Sequence, residues 1–176
     1  MTISKAPQAF PLSEYLRRLA AVKAEMARRE IDALLVRSDA NIAYLTGYTA
    51  RSGYVAQGLV VLRREELPTF ILRRQDAPAA LHLTYLTHPN VIGYPEDLVG
   101  NAERDGFDTM IEFLHDLGVA GRGVGLELGL LSAPTVSKFN DRLPKARIVD
   151  CTAAVDWIRG VKSDLEIAVM REAAAI

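Results

Sequence analysis

Residues 31–48 read Ile31-Asp32-Ala33-Leu34-Leu35-Val36-Arg37-Ser38-Asp39-Ala40-Asn41-Ile42-Ala43-Tyr44-Leu45-Thr46-Gly47-Tyr48. The first third, Ile31 to Val36, is a short and nearly continuous apolar run. That pattern suits a strand covered on both faces, as in the middle of a sheet with helices on either side. Ser38 or Asp39 can cap a short helix with a side-chain oxygen, and Gly47 can close that helix in the left-handed conformation. A buried strand passing straight into a capped helix is the unit from which α/β layers are built.

Upstream, residues 1–10 read as a loose lead-in. Pro11 to Glu30 forms a helix, with Leu12, Leu16, Leu19, Val22 and Met26 recurring at three and four, Ser13 as its cap and charges on the other face. Downstream, Gly53–Leu62 and Pro68–Leu72 read as two strands joined by the short polar Arg63–Leu67 connection, hence an antiparallel pair. Arg73-Arg74-Gln75-Asp76 leads into a helix reaching about Tyr85. Asn90–Tyr94 is a strand, Leu98–Gly106 a loop, and Phe107–Leu117 a helix closed by Gly118. Gly123–Leu128 is a strand, Ser132 caps a helix to about Leu143, and Ala146–Val149 is the last strand. Asp150 caps a short helix through Arg159. The expected fold class is α/β: a mixed sheet of about six strands with helices on both faces.

The final stretch carries Ser163 followed three residues later by Glu166, a capping box, with Asp164 in the favourable first turn. Leu165, Val169 and Ala173 share one face of the helix. The helix reaches Ile176 with no Gly, Asn or Pro to stop it. The expected organisation is therefore a domain over residues 1–160 and, over 161–176, the first helix of a further domain.

The composition is that of a globular domain: 49% hydrophobic and 24% charged, with 21 basic and 22 acidic residues and a net charge of −1. No basic surplus points to nucleic acid or to an anionic membrane, and no apolar run approaches a bilayer span. A single cysteine forms no internal disulfide, which places the expected location in the reducing cytoplasm.

The chemistry-bearing residues do not assemble into a catalytic set. His82, His88 and His115 lack the spacing of a zinc-protease helix, and no serine sits in a Gly-x-Ser-x-Gly elbow. Cys151 reads as a buried small residue. Gly121-Arg122-Gly123-Val124-Gly125 has the wrong spacing for a dinucleotide fingerprint, and it enters a strand where the fingerprint should leave one. The arginine doublets Arg17-Arg18, Arg28-Arg29, Arg63-Arg64 and Arg73-Arg74 are scattered and balanced by nearby acids, and most read as solvated faces. No catalytic residue, metal ligand or cofactor site is expected within these residues.

Two segments resemble the creatinase, prolidase and aminopeptidase P family. Arg159, Lys162, Ser163, Glu166 and Ile167 match the Arg-x-x-Lys-Ser-x-x-Glu-Ile segment with which that family passes from its N-terminal domain into its catalytic "pita-bread" domain. Asn41, Ile42, Tyr44, Leu45, Thr46, Gly47 and Tyr48 match a family pattern directly after the first strand. Within the family, Tyr54-Val55-x-Gln57, Gln75-Asp76-Ala77, Gly93-Tyr94-Pro95 and Glu103-Arg104 look most like the ectoine hydrolase branch, amidohydrolases that open a cyclic amidine. Arg51-Ser52-Gly53 departs from that branch, where a larger, aromatic-containing stretch stands.

The resemblance implies an N-terminal domain that covers the active site and serves dimerisation in a hydrolase cleaving a C–N bond of a small amide, amidine or X-Pro peptide. It implies a catalytic C-terminal domain holding a divalent metal pair, or no metal if creatinase-like, a homodimer, and a small-molecule or dipeptide substrate. The alternative is a non-catalytic binding or scaffold module, since some pita-bread relatives have lost catalysis. In creatinase-like dimers the N-terminal domain of one subunit leans over the active site of the other. The substrate-contacting candidates here are Tyr48, Arg51 and Tyr54 in one loop and Arg74, Gln75 and Asp76 in the turn after a strand. The tyrosines would supply rings with hydroxyls and the arginines would hold a carboxylate.

Overall fold

The computed structural model describes residues 3–50 and 52–175. The expected α/β architecture is observed: six strands in one mixed sheet, ordered β4-β3-β2-β1-β5-β6. The central strand β1, Ala33–Val36, is buried at every residue. On one side it pairs antiparallel with β2, Gly58–Leu62, so that Ala33 faces Leu62 and Val36 faces Leu59. On the other it runs parallel to β5, Gly123–Leu126. Beyond β2 lie β3, Thr69–Arg73, antiparallel, and β4, Val91–Tyr94, parallel to β3. Beyond β5 lies β6, Arg147–Asp150, an edge strand with charged residues at both ends, which discourages further pairing.

Strand alternation divides the core into two layers. Leu34, Val36, Leu59, Val61, Phe70 and Leu72 face helices α1 (Leu12–Arg28), α2 (Asp39–Thr46), α3 (Ala77–Leu83) and α6 (Ala154–Gly160). Ala33, Leu35, Val60, Leu62 and Ile71 face α4 (Gly106–Asp116) and α5 (Ala133–Arg142), through Met110, Ile111, Leu114 and Phe139. The last helix, α7 (Asp164–Ala173), has Glu166 as its buried residue and leaves Leu165, Val169 and Met170 exposed.

Local signals read from the sequence hold at α2, where Ser38 accepts the Asn41 N–H and Gly47 closes the helix at φ 83°. They hold at α5, capped by Ser132, and at the α7 capping box. Three expectations are corrected. Helix α1 begins at Leu12 with Pro11 as its cap residue, and Ser13 lies inside the first turn without capping it. Asp150 accepts the backbone N–H and the hydroxyl of Thr152, at 2.9 and 2.5 Å, making a turn of its own. Helix α6 therefore starts later, at Ala154, behind Ala153 and with no side-chain cap. Residues 53–57 are not strand. Tyr54 turns outward, Gln57 donates to Asp39 at 2.9 Å, and the carbonyl of Ala56 accepts the Tyr94 hydroxyl at 2.6 Å. The Tyr94 hydroxyl takes the Ala56 carbonyl that a ladder would have used.

The topology gathers several strand ends and loops at one end of the sheet. The C-terminal ends of β1, β3, β4, β5 and β6 lie together there, and β2 enters from the same end because it is antiparallel to β1 and β3. The loop before β2 and the turn after β3 therefore meet.

Candidate functional site

Arg73, the last residue of β3, and the 3-10 turn Arg74–Asp76 form one wall of this end. Gly93 on β4 permits the turn to lie close, since a Cβ there would stand 2.8 Å from the Arg74 Cα. A glycine inside a strand signals such close backbone approach. Asp76 accepts the Ser52 hydroxyl at 2.7 Å and both Nε and Nη2 of Arg73 at 3.2 Å. It makes no side-chain cap to α3. Arg73 in turn donates to the Tyr54 hydroxyl at 2.8 Å, with its guanidinium 5.7 Å from the centre of that ring. Ser52 and Tyr54 are thus pinned to the end of β3 through one carboxylate and one guanidinium.

Of the six residues singled out in the sequence, Tyr54, Arg74, Gln75 and Asp76 share this rim. Tyr54 is 77% exposed, Arg74 and Gln75 are exposed, and the Gln75 N–H donates to Glu96 at 3.0 Å. Tyr48 lies beneath, 3% exposed, its ring edge-on to Phe70 at 4.9 Å. Burial pushes its hydroxyl up to about 12, and the charges of Asp76 and Asp39 add to the shift. Arg51 lies outside the described residues. Arg73 and Ser52, which organise the rim, were not among the sequence candidates. Arg73 is committed to Asp76, with Glu96 3.9 Å away, whereas Arg74 stands exposed beside it.

Beside the rim, Arg37, Ser38, Asp39, Ala40, Ser52, Gly53 and Leu130 line an open cleft of about 360 Å³. A helix N-terminus at the end of a parallel strand is ordinarily a ready anion site. Here the chain fills it. Glu127, 1% exposed at the end of β5, accepts the N–H groups of Arg37 and Ser38 at 2.5 and 2.6 Å and the side-chain amide of Asn41 at 2.7 Å. Burial raises the Glu127 pKa against the pull of these donors. Asn41 passes the network on by accepting from Arg159 on α6 at 2.8 Å. The glycines of β5 serve packing: a Cβ on Gly125 would meet Ile31, Cys151 and Leu34 side chains within 3.0 Å.

A second polar cluster sets Arg18 apart from the solvated faces expected of most arginine doublets. Arg18 is 2% exposed. Its Nε donates to Glu14 at 3.1 Å, Nη1 to the Tyr44 carbonyl at 2.9 Å and Nη2 to Glu166 at 3.2 Å. Its guanidinium stands 4.3 Å from the ring centres of both Phe10 and Tyr44. The helical period contained the signal, since Tyr15, Arg18, Leu19, Val22 and Met26 fall on one stripe.

Glu14 is held down to about 2, chiefly by its hydrogen bonds from Arg17, against the cost of burial. A depressed carboxyl pKa contributes stability above its unfolded value and loses it as pH falls. Folding stability supplied by Glu14 should therefore be complete above about 4.5 and vanish toward about 2. Melting temperatures recorded across that window should fall less steeply in Glu14→Gln than in the parent chain; equal slopes would show that Glu14 is not a source of the acid sensitivity.

The histidines are all exposed. His82 Nδ1 lies 2.5 Å from the Ser4 carbonyl, and His115 Nε2 lies 3.0 Å from the Arg142 carbonyl. Cys151 is buried, and that burial raises its thiol pKa. Among the described residues no group of three or more His, Cys, Asp or Glu side chains is placed to hold a metal ion, and no helix is long and apolar enough to cross a membrane.

The family model for the creatinase/prolidase N-terminal domain matches residues 18–161. A Sinorhizobium fredii protein named as an uncharacterized hydrolase/peptidase, y4tL, is 60% identical over 100% of this chain and 45% of its own length. Ectoine hydrolase of Halomonas elongata is 37% identical over 95% of this chain and 42% of its own length. The chain thus spans under half the length of these curated relatives. Among solved structures, an Xaa-Pro dipeptidase from Bacillus anthracis superposes with a TM-score of 0.70 at 15% identity, over 90% of this chain and 39% of that one. That likeness is one of fold.

Proposed function

Because the chain belongs to the creatinase/prolidase family as an N-terminal domain, we propose that it covers the active site of a hydrolase cleaving a C–N bond in a small amide, amidine or X-Pro peptide. The family match over residues 18–161 carries this reading. Residues 1–160 are the covering domain, and 161–176 open the helix that leads into a catalytic domain. The lengths of the relatives support such a partner in the same polypeptide, since y4tL is matched over only 45% of its length. The exposed Leu165, Val169 and Met170 of α7 give that domain an apolar face to cover. The likeness to ectoine hydrolase favours a small amidine substrate over a dipeptide, because that relative is 37% identical whereas the dipeptidase shares the fold at 15%.

A divalent metal pair, where the enzyme uses one, is assigned to the catalytic domain, as the family resemblance implies. This chain's share of the chemistry is to close the pocket, exclude water and orient substrate, as lids do. In a homodimer the Tyr54 rim would reach the neighbouring subunit's pocket. Tyr54 offers a ring and a hydroxyl whose orientation Arg73 fixes, and Arg74 offers a cation.

The test is kinetics on the complete enzyme. Tyr54→Phe and Arg74→Ala should each lower kcat/KM by more than about tenfold, roughly 1.4 kcal/mol of transition-state binding, with melting temperature held within about a degree. Arg51→Ala belongs in the same series. Wild-type kcat/KM in all three variants would reduce the domain's role to assembly.

A further inference from the structure

Helix α7 begins in a cap that the domain itself grips. Within the cap, the Ser163 hydroxyl accepts the Glu166 N–H at 3.2 Å, and Glu166 Oε2 accepts the Ser163 N–H at 2.7 Å. A capping box needs nothing more. Here both members have a second partner from α1. The Ser163 hydroxyl donates to Glu14 Oε1 at 2.9 Å, and Glu166 Oε1 accepts Arg18 Nη2 at 3.2 Å. Arg18 is also bonded to the carbonyl of Tyr44 on α2, so one guanidinium ties α1, α2 and α7 together. No described apolar side chain of α7 is buried, so its seat on the domain rests on this polar joint and not on core packing.

We propose that Arg18 is a positioning residue: it sets the direction in which α7 leaves the domain, and thereby where the following catalytic domain stands relative to the sheet end bearing Tyr54, Arg73 and Asp76. The proposal rests on the reading of the chain as a covering domain. A plain structural arginine would act on global stability. A positioning arginine acts on α7 and on substrate capture.

Hydrogen exchange on the 176-residue chain tests the joint. In Arg18→Leu and in Glu166→Ala, amides of residues 167–173 should exchange at least tenfold faster than in the parent, while those of residues 33–36 in β1 are unchanged. Glu166→Gln, which can still complete the cap, should lie between. Unchanged exchange at 167–173 overturns the proposal. So does equal acceleration in β1, which would make Arg18 a global stabiliser.

The complete enzyme supplies the second readout. Arg18→Leu should raise KM at least tenfold with kcat within about twofold, because the reacting groups lie in the other domain, and Arg18→Lys should recover part of the loss. Unchanged KM, or a fall in kcat alone, overturns positioning. Tyr54→Phe measured in parallel separates this failure from a failure of the covering role. If the joint alone is wrong, Tyr54→Phe is still impaired. If the rim has no role, Tyr54→Phe is silent, and the exchange data still decide whether Arg18 holds α7.

Discussion

Glu127→Ala is expected to destabilise the fold by about 4 kcal/mol, because three donors lose a buried acceptor and each such loss costs roughly 1–3 kcal/mol. The donors are the Arg37 and Ser38 N–H groups and the Asn41 amide, all within 2.7 Å of the carboxylate. The loss should loosen the β1–α2 turn and the Arg159 contact that hangs on Asn41. Urea unfolding should show the drop as a lower midpoint, equivalent to about 8–16 °C in Tm for a chain of this size. Glu127→Gln keeps one acceptor oxygen and should lose about half as much. A loss below about 1 kcal/mol in Glu127→Ala would mean that water from the neighbouring cleft replaces the carboxylate at little cost.

The second large effect concerns Gly123, at the entry of β5. A Cβ there would stand 2.3 Å from the Glu30 carbonyl oxygen and 2.9 Å from the Ile31 Cα, both backbone atoms. Glu30 is already constrained, with φ 56° and its carbonyl bonded by Arg147 at 2.5 Å. The Asp32 N–H donates to the Gly123 carbonyl at 2.8 Å, so neither chain can retreat without breaking the β1–β5 register. Gly123→Ala should therefore cost about 3 kcal/mol, at the upper end of overpacking penalties. Gly121→Ala is the control: its Cβ would meet only the Lys145 Cβ, at an ordinary 3.7 Å, and should be close to neutral. If the two variants unfold at the same urea concentration, the close approach at Gly123 is relieved by a shift that the native packing does not show.

The elements legible in the sequence were those in which one physical signal acts alone. Ala33–Val36 is buried on both faces and reads as an unbroken apolar run. Ser38, Gly47, Ser132 and Ser163 are caps whose partners lie within a turn, so local chemistry settles them. The misreadings arise where another group, near or far along the chain, competes. Residues 53–57 run into the apolar stretch of β2, but Asp39 and Tyr94 claim their polar groups from elsewhere in the chain. Asp150 could have capped α6, but Thr152 offered it a tighter turn first.

The site divides in the same way. Tyr54 was visible as a ring with a hydroxyl near a glycine-flanked loop and Asp76 as a polar group after a strand, whereas their organiser Arg73 looked like half of an ordinary basic doublet. Arg18 and Glu127 were missed because a charged residue next to an apolar stripe or strand end is usually solvated. Their partners, Glu166 and Arg37 among them, lie far along the chain. Only the fold brings them together.

The strand order also bears on how the chain emerges from the ribosome. Strands β1 to β4 occupy residues 33–94 and each pairs with its neighbour in sequence, so this half of the sheet can zip up while the rest is still being made. Strand β5 then has to add to β1, the oldest strand, at Ala33, Leu34 and Leu35. Until it arrives, an entirely apolar strand presents a bare row of backbone donors and acceptors, the kind of edge that recruits other chains. Until Leu126 has left the ribosome and β5 has paired, β1 is therefore the edge of the nascent sheet most open to pairing with another chain.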